Sequence, residues 1–371
     1  MSVEGVVHLS ARLAAGRISD VRVASDRPLV AQRLFAGKTP AEALRLVPNL
    51  YSVCGKSQAV VAAAALDAAL GHAPRPAIHH RRERELAAET LAEHAFRLLL
   101  DWPKLCGAAG DVVLLSRIRS LLASAPVSEA SWGAARDALV GMAETRLLGT
   151  ELDPWLEQFS ASEWLDWARG GHTDCGRTLA ALSSLPDWAA PETLPLTRPQ
   201  HSVFVEQMAR PALASPAFSA RPELDGQPAE CGALARCQAL PAVRDLARRD
   251  RIMARAFSRV AEFALVLRAD STVGRLEAAV LGPGEGAAIG EMARGVLLHA
   301  VRLDGERIAD YAIVAPTEWN FHPKGALYRE LEGRPAGSAR AARRALDFAA
   351  ATLDPCVALE PSLETAEAPD A

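Results

Sequence analysis

Between residues 241 and 268, Val243, Leu246, Met253, Phe257, Val260 and Leu267 recur at helical spacing. A helix of that length with one apolar face must be covered by other elements, so the chain is expected to build a helical core. Arg244, Arg248, Arg251, Arg255 and Arg259 run along the same segment. Asp245, Asp250 and Glu262 interrupt them, which favours a solvated or ion-paired face over a nucleic-acid stripe. The whole chain agrees: 41 Lys and Arg against 45 Asp and Glu lack the basic excess that phosphate binding requires.

Further helices are predicted over residues 59–70 with Ser57 as cap, and over 81–100, 111–123, 129–148 and 338–353. Two hairpins are predicted. One spans residues 5–23 and turns at Ala15-Gly16; the other spans 296–314 and turns at Asp304-Gly305. Residues 186–229 are rich in Pro, Ser and Ala and read as loop with a short helix near Phe204–Ala212. The tryptophans before and within this region read as core anchors. The expected class is α+β, mostly helical, as a single domain over residues 1–359 with an acidic mobile tail over 360–371.

Half of the residues are hydrophobic, which excludes disorder as the dominant state. The most apolar run, Ala59 to Ala73, is broken by Asp67 and is too short to cross a bilayer. The N-terminus lacks the basic start and apolar core of a secretory signal. The protein is therefore read as cytoplasmic, with neither membrane nor nucleic acid as partner.

The six cysteines are Cys54, Cys106, Cys175, Cys231, Cys237 and Cys356. None forms a C-x-x-C pair, and six in so long a chain are too sparse for a disulfide scaffold. For any one of them the default role is a small buried hydrophobe. Cys54 lies in Cys54-Gly55-Lys56-Ser57, where an extended segment meets a helix start. Backbone amides, the helix dipole and Lys56 are expected to favour its thiolate. Cys356 lies in Asp354-Pro355-Cys356, where the last helix stops. No P-loop, dinucleotide fingerprint or G-x-S-x-G is present.

Taken in order, these fragments resemble the large subunit of nickel–iron hydrogenases over most of the chain. Glu4-Gly5 resembles the family's opening E-G-H, and Val53-Cys54-Gly55 its R-x-C-G-x-C-x-x-x-H. The run from Asp225 to Arg236 resembles D-G-K-P-M-E-V-G-P-L-A-R. Glu291-Met292-Ala293-Arg294-Gly295 resembles E-A-P-R-G, and Pro316-Thr317-Glu318-Trp319-Asn320 resembles P-T-T-W-N. Asp354-Pro355-Cys356 resembles the start of D-P-C-x-x-C-x-x-H. The resemblance implies the large-subunit fold, a long-helix core with small antiparallel hairpins, in which Cys54 and Cys356 share one site.

The departures are as informative as the matches. The second cysteine of each pair is replaced, by Ser57 and Leu359. Leucine cannot ligate, and serine is a poor substitute for thiolate. The family's leading arginine and first histidine fall at Ser52 and Val61, and its closing histidine at Ser362. The pattern thus implies no complete nickel–iron centre, no nickel, no hydrogen turnover and no C-terminal processing. It is similar to the accessory branch of the family, the HupK/HoxV-type hydrogenase expression/formation proteins. That branch implies a scaffold that holds Fe(CN)2CO on the Cys54 and Cys356 thiolates. Arg294 and Thr317 fall where the family hydrogen-bonds the diatomic ligands. Implied partners are the hydrogenase large-subunit precursor, a small maturation chaperone and the iron–sulfur scaffold protein that builds the fragment. A divergent catalytic subunit, a metal-free structural subunit like that of complex I, and a reversible Cys54–Cys356 disulfide remain open. For Glu4, at the family's proton-relay position, a structural role near Cys356 stands at least level with a relay. Cys231 and Cys237 are expected to be buried without function, and His79-His80 to be an exposed helix start. His299 and His322 receive no ligand role.

Overall fold

A computed structural model describes residues 5–28, 31–51, 53–157, 160–196 and 202–365. The predicted 241–268 helix is two helices, Pro241–Arg249 and Arg251–Leu267. Asp250 is extended at the break, and its carboxylate caps the second helix by accepting from the amides of Ile252 and Met253, at 2.8 and 3.4 Å. In that second helix every residue except Leu265 is buried, so it is the axis of the fold. Helices over Pro76–Phe96, Glu129–Met142 and Asp174–Leu182 pack on it, as does the last helix, Ala339–Leu353. Trp164 lies stacked between Trp155 and Phe257, with ring centroids 4.9 and 5.7 Å away, so the tryptophans are core anchors as expected.

The arginine stripe divides. Arg244 and Arg248 are exposed, but Arg251, Arg255 and Arg259 are buried and ion-paired. Arg251 and Arg255 each lie 2.7 Å from Glu230, Arg255 also pairs with Glu330, and Arg259 lies 2.6 Å from Asp354. The carboxylates come from segments far away in the chain. Local charge spacing cannot reveal them.

The hairpin at the start of the chain is Val6–Ala14 with Arg17–Ser25. A third strand, Ala358–Thr365, pairs in parallel with Val6–Ala14 and places Val7 opposite Leu359. Residues 360–365 are thus a strand where the sequence suggests a mobile tail. Leu359 and Leu363 are partly buried on the helical core while Glu360 and Glu364 face out. That alternation is a strand signal which the acidic composition obscured. Pro361 is tolerated because the strand lies at the sheet edge.

The second predicted hairpin, Gly295–Asp304 with Arg307–Val314, belongs to a four-stranded antiparallel sheet that also contains Leu276–Gly282 and Glu285–Met292. The Gly55–Ala69 helix covers one face of this sheet and the Ser202–Ala214 helix the other. The first helix comes so close that a Cβ on Gly286 would lie 2.1 Å from the amide nitrogen of Ala69. Among the described residues no helix is long and apolar enough to cross a membrane.

Candidate functional site

Cys54 is the N-terminal flanking residue of the Gly55–Ala69 helix, but its side chain caps nothing. Glu89, from the Pro76–Phe96 helix, takes that role. It accepts from the amides of Lys56 and Ser57 at 3.1 and 2.9 Å, and from the Ser57 hydroxyl. The helix N-terminus is therefore spent on a carboxylate, and Lys56 is exposed. The expected easing of the Cys54 thiol does not occur. Burial pushes its pKa up, the neighbouring Cys356 adds to this, and Arg294 and Arg27 oppose it.

Cys356 follows the last helix, whose end is marked by Asp354 in the left-handed region at φ +61°. The Cys356 amide donates to Thr317 Oγ1 at 3.3 Å. The same oxygen lies 3.0 Å from Cys356 Sγ, placed to donate its hydrogen to the sulfur. Thr317 is held there by the short Pro316–Asn320 helix. Arg27 Nη1 approaches Cys356 Sγ to 3.5 Å and pairs with Glu318 at 3.2 Å, and the guanidinium lies over the Tyr51 ring.

Arg294 sits in the turn between Glu285–Met292 and Gly295–Asp304 and is 2% exposed. Its Nη2 donates to Glu93 at 2.9 Å, and its Nε lies 3.3 Å from Asp354. Asp354, Glu93, Cys356 and Cys54 hold its charge against the cost of burial. Its Nη1 is buried without a hydrogen-bond partner. Asp354 is held far below the usual carboxylate range because Arg294, Arg97 and Arg259 outweigh its burial. The fold therefore brings Cys54, Cys356, Arg294 and Thr317 into one neighbourhood. It adds Arg27, which no motif contained.

The remaining candidates have other neighbours. Cys231 Sγ lies 3.4 Å from Asn320 Oδ1 and 3.6 Å from the Arg294 carbonyl, and Cys237 Sγ lies 3.7 Å from the Ser258 carbonyl. Both are buried thiols satisfied locally. Leu359 packs on the helical core and Val61 under the sheet, while Ser362 Oγ donates to the Leu9 carbonyl at 3.5 Å. His79 and His80 lie beside Glu83 at the start of their helix, and His322 lies near Glu223. Glu4 and Ser52 fall outside the described residues. Among the described residues no three His, Cys, Asp or Glu side chains are grouped to hold a metal ion. What the arrangement offers is two thiols, an unpaired guanidinium N–H and a hydroxyl. That donor set suits a small metal fragment bringing ligands that themselves accept hydrogen bonds.

Residues 279–330 match the family model for nickel-dependent hydrogenase. The chain also superposes on the Ni-Fe-Se hydrogenase of D. vulgaris Hildenborough in the reduced state. The TM-score is 0.59, with 92% of this chain and 94% of that one covered at 15% identity. A reduced, active form of the Ni-Fe-Se hydrogenase from Desulfomicrobium baculatum gives a TM-score of 0.54, covering 93% and 95% at 15% identity. The fold is that of a nickel–iron hydrogenase large subunit. Hydrogenase expression/formation protein HoxV of Cupriavidus necator is 33% identical, covering 90% of this chain and 91% of its own length. The HupK proteins of Bradyrhizobium diazoefficiens and Rhizobium leguminosarum bv. viciae are 30% and 31% identical, each over at least 96% of both chains. The chain belongs to this family of hydrogenase expression/formation proteins.

Proposed function

We propose that this protein acts in hydrogenase maturation by transiently holding the Fe(CN)2CO fragment on the Cys54 and Cys356 thiolates and passing it to the apo large subunit. The observation that carries this reading is the buried Arg294 Nη1. It is a charged donor left without a partner beside two thiols, and such a vacancy is costly unless something accepts from it. A cyanide nitrogen is an acceptor of the right kind. Thr317 and Arg27 supply further donors at Cys356.

The second position of each former pair offers no ligand. The Ser57 hydroxyl is committed to Glu89, and Leu359 is packed in the core. Two thiolates hold a fragment less firmly than four hold a finished centre, which suits a carrier and leaves no place for nickel. The protein is on this reading a cytoplasmic scaffold and not a catalyst. Its partners are the large-subunit precursor, a small maturation chaperone and the iron–sulfur protein that assembles the fragment. Infrared spectra of protein purified without oxygen from a host with the full maturation machinery test this. Cyanide and carbonyl stretching bands are expected in the wild type, and they vanish in Cys54→Ala and Cys356→Ala. Metal analysis should find iron without nickel. A wild-type spectrum without such bands rejects the proposal.

A further inference from the structure

Gln58 lies one helical turn beyond Cys54 and is completely buried. Its Nε2 is 3.8 Å from Cys54 Sγ, and its Oε1 is 2.8 Å from Nε2 of His299. His299 is also completely buried, on the Gly295–Asp304 strand. Its other nitrogen, Nδ1, is 2.8 Å from the hydroxyl of Tyr311 on the next strand. Three hydrogen bonds thus run from Tyr311 to a sulfur across the interface between helix and sheet. The neighbours of His299 on that face of the strand, Leu297 and Val301, are apolar and pack against the helix. The imidazole is the polar exception there.

Chemistry sets the direction of the chain. A thiolate only accepts, so Gln58 must present its amide N–H to Cys54 and use its oxygen to accept from His299. His299 then carries its proton on Nε2, which leaves Nδ1 to accept from the Tyr311 hydroxyl. Burial holds the imidazole neutral, with its pKa pushed down to about 3, so one nitrogen donates while the other accepts. The Tyr311 ring is clamped edge-on by His299 and packed on Phe35, with centroids 5.7 and 4.6 Å apart, which fixes the hydroxyl. Without the imidazole, nothing in this set of contacts would stop the Gln58 amide from turning its oxygen toward the sulfur.

We propose that Gln58, His299 and Tyr311 are positioning residues that aim a hydrogen-bond donor at the Cys54 sulfur when it binds metal. This rests on the reading of Cys54 as a metal-binding thiolate. Donation to a metal-bound thiolate stabilises it against reprotonation, and loss of such supporting bonds weakens metal binding.

The test uses cadmium(II), a soft probe of thiolates, titrated into the full chain without oxygen. The proteins are wild type, Tyr311→Phe, His299→Gln, Cys54→Ala and the Cys54→Ala/Tyr311→Phe double variant. Tyr311→Phe removes one hydroxyl and keeps the ring. It is expected to weaken cadmium binding about ten-fold, with His299→Gln at least as weak. The double variant is expected to bind no more weakly than Cys54→Ala alone, because the chain acts only through that sulfur. Wild-type affinity in Tyr311→Phe overturns the proposal. So does a further additive loss in the double variant, which is what general structural damage produces, or equal affinity in wild type and Cys54→Ala. The expected cadmium pattern in a wild type without infrared bands removes the Fe(CN)2CO reading and leaves the positioning chain standing.

Discussion

Replacing Asp354 by Asn isolates the charge that locks the last helix to the fold. Asp354 is buried and lies 2.5 Å from Arg97, 2.6 Å from Arg259 and 3.3 Å from Arg294. Its left-handed backbone is one that Asn also adopts, so the substitution leaves the turn unstrained. Arg97 keeps Asp101 and Arg294 keeps Glu93 after the change. Arg259 keeps the Trp102 ring, 5.5 Å away, and a neutral amide oxygen at position 354, but among the described residues it has no other carboxylate partner. One buried cation is thereby stranded, which costs about 3–5 kcal/mol. Against a total stability of roughly 5–15 kcal/mol, that is a large fraction. Equilibrium unfolding in urea, followed by tryptophan fluorescence, measures the loss. Arg259→Met combined with Asp354→Asn should recover much of it, since the stranded charge is gone. A loss below about 1 kcal/mol in the single variant, or no recovery in the double, would refute the reasoning.

Two further outcomes follow from other parts of the fold. Gly295 has φ +129°, and a Cβ there would lie 2.2 Å from Cys231 Sγ. Gly295→Ala should destabilise by more than about 1–3 kcal/mol, seen as a lower urea midpoint, and should disturb the Arg294 turn. His94 is buried 2.7 Å from Glu262, and burial pushes its pKa down to about 4. The unfolded chain therefore takes up protons first as pH falls. Stability is full above about pH 6.5 and declines between there and pH 4, and unfolding curves across that window should show a smaller decline in His94→Gln.

The elements that could be read from the chain were those whose signals are local. Turn dipeptides revealed both hairpins, and apolar spacing revealed the central and last helices. The strands Leu276–Gly282 and Glu285–Met292 carry a weak local signal because both are rich in Ala and Gly, which have little strand preference. At the candidate site, Cys54, Cys356, Arg294 and Thr317 lie in ordered motif fragments. Arg27 and Glu89 lie in no fragment, and the Gln58–His299 contact joins residues 241 positions apart. The Cys54 environment is hidden from the sequence for a related reason. The helix start was visible, but the carboxylate that occupies it comes from another helix.

The parallel pairing of Ala358–Thr365 with Val6–Ala14 has a consequence in time. A ribosome adding ~5–20 residues per second needs roughly 15–60 s to travel from Cys54 to Cys356. During that interval the strand partner and the second thiol do not yet exist. The early hairpin must wait with one edge open, and Cys54 must wait alone. On the function proposed above, a fragment that needs both sulfurs can be held only once Cys356 has been made, so chains still short of it cannot compete for that fragment.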